Sequence, residues 1–278
     1  MSGKIVLITG ATDGLGAALA AELVAAGAKV LVHGRDPERI ERTVSELGDG
    51  AAGSYRADFA ALEEVHAMAQ RVLAERDRLD LLVNNAGIGT SLPGEGKRLE
   101  SRDGYELRFA VNYLAGFLLT ALIEPLLIAA APARIVNVSS AGQMAIDFED
   151  VMLEREYSGT RAYCQSKLAQ VMHAIDLAER LRERRVTANC LHPATYMPTK
   201  IVFAARGSSV SSLEEGVQAT ARLVSDRSLQ EVTGRYFSGL REAGAEAQAY
   251  DPEARRRLRE LSEQLVERAI GRSALTTG

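Results

Sequence analysis

The chain has 278 residues, 46% hydrophobic and 25% charged, the composition of a globular protein able to bury a large core. Its 33 basic and 37 acidic residues leave a net charge of −4, which excludes a global basic field for nucleic acid. Cys164 and Cys190 make neither a disulfide framework nor a metal cluster; with no leader-like opening, they point to a reducing, cytoplasmic setting.

Lys4–Ile8 is a short apolar run ending at Thr9-Gly10 and suits a buried strand. Gly14–Ala26 follows as a helix, with Leu15, Leu19 and Leu23 at helical spacing. Lys29–Val32 is a second strand, ended by His33-Gly34-Arg35. Asp36 then caps a helix whose first residue is Pro37 and whose end is Gly48. Ala52–Arg56 reads as a strand, Leu62–Leu73 as a helix and Leu79–Val83 as a strand. After Asn84-Asn85-Ala86-Gly87, a loop with Gly and Pro runs to about Arg102, and a long helix is expected from Tyr105 to Ala130. Arg134–Val138 is a strand ending in Ser139-Ser140. A helix from Thr160 to Arg184, a strand Val186–Leu191 and a last strand Val232–Phe237 complete the alternation.

Alternating strands and helices predict right-handed βαβ units, an α/β fold with a doubly wound parallel sheet. Ligand sites in such sheets lie beyond the carboxyl ends of the strands. The glycines and polar residues gather there: Gly10–Gly16, Arg35, Asp58, Asn84–Gly87, Ser139-Ser140 and His192–Thr195. No disordered linker divides the chain, so one domain is expected over 1–270, with a flexible tail at 271–278. Residues 114–133 approach membrane-spanning length, but Glu124 and Pro125 interrupt them, and a buried core helix is expected instead of a membrane span. The terminal helix Pro252–Ala269 carries Arg255, Arg256, Arg257 and Arg259 among glutamates, which reads as a solvated amphipathic face. Residues 195–212 are apolar and then Gly/Ser-rich, the composition of a mobile lid over a hydrophobic substrate.

Three patterns carry chemistry. Thr9–Gly16, TGATDGLG, places glycines between a strand and a helix, where the backbone can approach a phosphate held by helix amides. About two dozen residues after Gly10, the second strand ends in Arg35, where an arginine receives the extra phosphate of NADP; NADP(H) is expected over NAD(H). Tyr163 and Lys167 are four apart on one helical face, where a nearby ammonium favours the phenolate and prepares an acid–base group. Cys164 sits on another azimuth and reads as a buried structural thiol. The four histidines have no metal-ligand spacing, so no metal is expected.

Together, TGATDGLG, Asp58, NNAG at 84–87, Asn112, Ser140 and Tyr163/Lys167 resemble the short-chain dehydrogenase/reductase family over nearly the whole chain. The segments VNYLAGFLLT (111–120), RIVNVSS (134–140), AYCQSKLA (162–169) and LHPAT (191–195) resemble its retinol-dehydrogenase-like branch. The resemblance implies a single-domain Rossmann-type fold and an NAD(P)-dependent ketoreductase or dehydrogenase of a small-molecule carbonyl/alcohol pair, which the lid and the long Ser140–Tyr163 segment suggest is apolar. It implies that Tyr163 exchanges a proton with the substrate oxygen. Lys167 would tune that tyrosine and hold the nicotinamide ribose. Ser140, with Ser139 as its competitor, would bond the substrate oxygen, and Asn112 would hold a relay water. Gly10, Thr12, Asp13, Gly14, Leu15 and Gly16 would cradle the pyrophosphate. Asp58 and the backbone at Phe59 would hold the adenine. Asn85, Ala86, Gly87, Pro193 and Thr195 would line the rest of the cofactor. It also implies a homodimer or homotetramer packed through the long helices.

Two features depart from the family pattern. The Ser140–Tyr163 interval is long, and its segment 145–160, with Phe148, Met152, Leu153 and Tyr157, is expected to help wall the substrate pocket. Pro193 is followed by Ala194 instead of glycine, and the expected threonine is displaced to Thr199. The competing class is a catalytically silent nicotinamide-binding regulator, against which the intact Tyr163, Lys167, Ser140 and Asn112 count.

Overall fold

The apolar runs form one eight-stranded sheet in the computed structural model, which describes residues 1–92 and 97–271. Its strands are β1 Ile5–Ile8, β2 Lys29–Gly34, β3 Ala51–Arg56, β4 Leu81–Asn84, β5 Ala133–Val138, β6 Val186–His192, β7 Tyr236–Ser238 and β8 Arg241–Ala243. Their order is β3-β2-β1-β4-β5-β6-β7-β8, parallel throughout except for β7 with β8. The helices are α1 Gly14–Ala25, α2 Pro37–Leu47, α3 Leu62–Glu75, α4 Ala115–Ala129, α5 Gly159–Arg180, α6 Lys200–Arg206, α7 Leu213–Ser225 and α8 Pro252–Ile270. The tip of the loop after β4 and, beyond Gly271, the tail expected at 271–278 lie outside the described residues.

Side chains of a strand alternate between faces, so each strand feeds two cores. Val6 and Ile8 join Leu15 and Leu19 of α1 and Val217 and Leu223 of α7. Leu7 joins Met68 of α3, Leu118 of α4, Leu168 of α5 and Leu258 of α8 on the opposite face. The chain moves outward from β1 through β2 to β3, then returns to place β4 on the other side of β1. A groove opens at that reversal, beyond the strand ends.

Two helix starts follow the sequence closely. The Asp13 carboxylate accepts from the Gly14 amide, and Asp36 accepts from the Glu38 and Arg39 amides behind Pro37. Other elements differ. The expected unbroken helix from Tyr105 is a π-helical turn, Phe109–Leu114, that continues into α4. The span Phe109–Ala129 is long and apolar enough to cross a membrane, yet 67% of its most apolar window is buried inside the protein. The last strand starts at Tyr236, later than expected. Before it, Thr233 and Val232 meet β6 through single bonds to the Ala188 amide and the Asn189 side chain. Gly239, at φ +56°, then turns the chain into β8, which the sequence reading lacked.

The arginines of α8 are not simply a solvated face. Arg255 bonds Glu179 at 2.6 Å, Arg259 bonds Asp176 at 2.5 Å and Arg257 bonds Glu149 at 2.6 Å. Only Arg256 stays on its own helix, with Glu253 and Glu260. Tyr105 donates to the Leu265 carbonyl and Tyr113 bonds Ser262, so α8 overlies the π-helical turn and α5.

Candidate active site

The glycine-rich turn is shaped by close approach. A Cβ at Gly16 would lie 2.2 Å from the Gly10 carbonyl oxygen, and one at Gly10 would lie 3.0 Å from the Ala86 Cα. The first-turn amides of Leu15 and Gly16 have no intrahelical carbonyl to bond and face the groove with the positive end of α1. This cradle fits a dinucleotide pyrophosphate. Gly34 has its Cβ position 2.7 Å from the Thr12 side chain, so β2 and the turn also touch closely.

Asn85 braces the turn from below. Its side-chain amide donates to the Thr9 carbonyl at 2.8 Å and to the Gly10 carbonyl at 3.2 Å. The amides of Asn85 and Ala86 both donate to the Thr9 hydroxyl. Thus the Asn85 side chain holds the loop together, and the backbone of 85–87 is what borders the groove. Sequence reasoning overlooked His33. The Gly10 amide donates to His33 Nδ1 at 3.1 Å, which places the ring proton on Nε2, donating to the Ala57 carbonyl at 3.1 Å. Phe59 stacks on this ring at 4.4 Å and is buried, so only its backbone faces outward. Burial pushes the His33 pKa down to about 4.

At the adenine end, Asp58 accepts from the Ala60 amide and lies near Arg102. Arg35 is exposed just beyond β2 and makes no ion pair among the described residues, while Asp36 is occupied as a helix cap. Its neighbour Arg39 pairs with Asp13 at 3.1 Å.

Ser139 and Ser140 separate cleanly. The Ser139 hydroxyl is buried and donates to the Lys167 carbonyl at 2.7 Å. The Ser140 hydroxyl accepts from the Gly142 amide at 3.1 Å and lies beside the Tyr163 phenol. Two side chains the sequence reading missed hold Ser140 in place. Tyr236 of β7 donates to its carbonyl at 3.0 Å, and Gln143 donates to the same oxygen at 2.9 Å. Gln143 reaches it from three residues on, whereas Tyr236 carries no local signal, because it meets Ser140 only through the fold.

The sequence expectation is that Lys167 lowers the Tyr163 pKa; in this conformation burial dominates. Burial raises the Tyr163 pKa, and the Ser140 hydroxyl only partly opposes it. The Lys167 ammonium turns to the Val138 carbonyl at 3.1 Å and the Gln170 side-chain oxygen at 2.9 Å, 5.7 Å from the Tyr163 ring centre. Its own pKa is pushed down to about 8 by burial. Asn112, in the π-helical turn, also has a different set of partners. Its Oδ1 accepts from the Ile88 amide at 2.7 Å, and its Nδ2 donates to the Ile88 carbonyl and the Ser166 hydroxyl. Gly87 leaves space between Asn112 and Lys167: a Cβ there would lie 3.2 Å from Asn112 Oδ1 and 3.6 Å from Lys167 Nζ.

The segment 195–212, expected to be a lid, lies against the glycine-rich turn and the loop after β4. Its ends are joined by bonds from Val210 N to the Tyr196 carbonyl and from Ser211 N to the Thr195 carbonyl. Thr195 also bonds His192 Nε2 at 3.1 Å, beside Pro193 and Ala194. Thr199 lies against Gly14, Lys200 pairs with Asp13, and Ile201 packs on Gly89. Phe203 and Val210 are exposed. The segment 145–160 serves mainly as packing: Phe148 and Met152 lie on the core, while Tyr157 bonds the buried Arg108 that holds the Gly89 and Thr90 carbonyls. Tyr157 and Arg108 also line a cavity of about 260 Å³ with Thr90 and Ala205. Cys164 is half-buried rather than buried, and burial raises its thiol pKa, away from a reactive thiolate.

The short chain dehydrogenase family pattern matches residues 4–206. Retinol dehydrogenase 13 of Mus musculus is 36% identical over 285 residues, covering 95% of this chain and 84% of that protein. Retinol dehydrogenase 14 of Homo sapiens is 36% identical over 297 residues, covering 96% and 87%. Among solved structures, the Pseudomonas aeruginosa RhlG/NADP active-site complex superposes with a TM-score of 0.70 at 26% identity, covering 86% of this chain and 95% of that one. The 3-ketoacyl-(acyl-carrier-protein) reductase of Brucella melitensis, complexed with NADH, gives 0.70 at 26% identity, covering 85% and 96%.

Proposed function

The chain belongs to the short-chain dehydrogenase family, an NAD(P)(H)-using oxidoreductase of carbonyl/alcohol pairs, and from that premise we propose that it prefers NADP(H) and uses Tyr163 as its acid–base group. The observation that carries this proposal is the meeting of the Ser140 hydroxyl and the Tyr163 phenol beyond β5, one helical turn from the buried Lys167.

The bound nicotinamide supplies or accepts the hydride. The chain's own residues do the rest. Hydride addition to a carbonyl builds negative charge on its oxygen, so donors aimed there stabilise the transition state. Ser140 donates to that oxygen from a backbone fixed by Tyr236 and Gln143. Tyr163 gives it a proton; burial, which keeps the phenol protonated, suits the direction of reduction. In oxidation the phenolate takes the proton, and Lys167 supplies the positive charge that makes it accessible. Asn112 keeps the loop after β4 at the groove by holding both backbone groups of Ile88. Arg35 receives the 2′-phosphate, because it is an exposed cation where β2 ends, without an ion pair among the described residues.

Residues 1–270 act as one catalytic domain, with 195–212 as its lid. The exposed Ile201 and Phe203 on that lid, and the names of the relatives, favour an apolar aldehyde, ketone or alcohol, with retinal and retinol among the first compounds to screen. A cytoplasmic location and a homodimer or homotetramer belong to the same proposal. Since α8 covers part of α5, the subunit contact would use another face, and light scattering measures the mass.

The test is a carbonyl panel followed by NADPH and NADH oxidation. Tyr163→Phe is expected to lower turnover by about 10²–10⁴-fold while cofactor binding persists. Equal or better use of NADH overturns the cofactor preference. No turnover across the panel, with tight NADPH binding, favours a silent regulator.

A further inference from the structure

Lys167 is buried, and its ammonium offers only donors. Two acceptors meet it: the Val138 carbonyl at 3.1 Å and the Gln170 side-chain oxygen at 2.9 Å. Gln170 is 3% exposed and lies three residues further along α5, on the same face. Which end of its amide faces the lysine is fixed by chemistry, since an ammonium cannot accept from an NH₂ group. The residue is itself anchored. Its carbonyl accepts from Asn137 Nδ2 at 3.0 Å, and Asn137 Oδ1 accepts from Asn84 Nδ2 at 2.9 Å. Asn84 in turn donates to Thr120 of α4. A polar chain thus runs through the core from α4 across β4 and β5 to Lys167.

No carboxylate forms an ion pair with Lys167 among the described residues. The titratable groups around it are Tyr163 on its own helix and Cys190 and His192 on β6. Burial pushes the Cys190 thiol up to about 12 and His192 down, so both are neutral near pH 7. The π-helical turn contributes only the neutral Asn112, and β5 only Val138 and Ser139. A buried cation surrounded by neutral groups depends on the dipoles aimed at it.

We propose that Gln170 is a positioning residue: its side-chain oxygen keeps the Lys167 ammonium charged beside Tyr163 and thereby sets the pH at which Tyr163 yields its proton. This rests on Tyr163 being the acid–base group. Removing the acceptor favours neutral Lys167, which withdraws positive charge from the phenolate and raises the tyrosine pKa. A carboxylate at 170 favours the ammonium and raises the lysine pKa.

The experiment is an NMR titration of protein labelled with ¹⁵N at the lysine side-chain nitrogens. The chain has five lysines, so the buried one is resolvable and is assigned by its loss in Lys167→Met. In Gln170→Leu the Lys167 midpoint should fall by about one pH unit, and in Gln170→Glu it should rise by about one or more. In alcohol oxidation, the acid limb of kcat/KM should move to higher pH in Gln170→Leu. A merely structural residue would lower activity or stability without moving either midpoint. Unchanged midpoints in both variants, with Tyr163→Phe inactive, overturn the role of Gln170 alone. Retained turnover in Tyr163→Phe overturns the acid–base assignment and with it the proposal. If Gln170→Leu does not fold, Gln170→Glu decides: an unshifted Lys167 midpoint overturns the proposal.

Discussion

The two walls of the groove are held by different forces. The glycine-rich turn is fixed by buried hydrogen bonds and atomic contact: Asn85 beneath it, His33 behind it, and the Gly10 carbonyl against Gly16. The lid opposite has no buried residue in α6, and it touches the turn through an exposed ion pair and a few apolar contacts. Close packing does not yield to small changes, whereas exposed charge pairs can separate at little cost. Hence the turn is a fixed seat, and we propose that the segment 195–212 is a movable cover.

Gly16→Ala should break this comparison most severely. The new methyl carbon would lie 2.2 Å from the Gly10 oxygen and 2.5 Å from Asn85 Nδ2, and backbone atoms cannot swing aside. Overpacking of this kind costs about 1–3 kcal/mol. Cofactor affinity should fall well beyond about tenfold, since the cradle itself must shift. Gly207→Ala in the lid is the control: its Cβ meets nothing within 4 Å, although φ is +74°. Thermal unfolding and NADPH fluorescence titration check both. Similar losses for the two variants would mean that the walls do not differ.

An intermediate effect is expected from acid. His33 has its pKa pushed down to about 4 and His173 to about 3, from an ordinary value near 6.5, because both are buried. Between those values and 6.5 the unfolded chain binds protons that the folded one does not. Stability is therefore full above pH 6.5 and declines as the pH falls, by up to about 1.4 kcal/mol per pH unit for each histidine. Protonating His33 also removes the acceptor for the Gly10 amide, so cofactor affinity should decline as the pH approaches 4. His33→Gln should flatten the loss of affinity between pH 6 and 4. Identical slopes would separate His33 from the turn.

Much of the fixed wall was legible because its logic is local. A strand, three glycines and a helix follow one another within a dozen residues, and each constrains backbone shape directly. The strand-end rule then put Asn85 and Ser140 at the same edge of the sheet, while Tyr163 came from its helical spacing to Lys167 and the family resemblance. Less visible were partners brought together by the fold. Tyr236 and Gln143 meet at the Ser140 carbonyl from nearly a hundred residues apart, and no periodicity predicts that meeting. The π-helical turn was hidden for another reason. Its residues are as apolar as those of α4, so the sequence reads as one helix until the Asn112 bonds to Ile88 are seen. Helical spacing gave Lys167 as the neighbour of Tyr163, but not the burial of both groups nor the Val138 and Gln170 acceptors that hold the ammonium.

The smallest expected effect is the sharpest test of the movable cover. Lys200 pairs with Asp13 at 2.5 Å, but their side chains are 69% and 48% exposed. Exposed pairs contribute roughly 0–1 kcal/mol, so Lys200→Ala should change cofactor affinity by no more than about fivefold. Arg39 shares the same carboxylate, which softens the loss further. The direction follows from position: Lys200 fastens the first turn of the lid helix to the start of α1, so its removal should speed cofactor release more than it slows capture. In wild type this release should also quicken with salt, because the screening length is about 10 Å at 0.1 M, and in Lys200→Ala the dependence should weaken. Stopped-flow release of NADPH at two ionic strengths measures both. A loss beyond tenfold, or an unchanged salt dependence, would show that the lid is seated by packing, as the glycine-rich turn is.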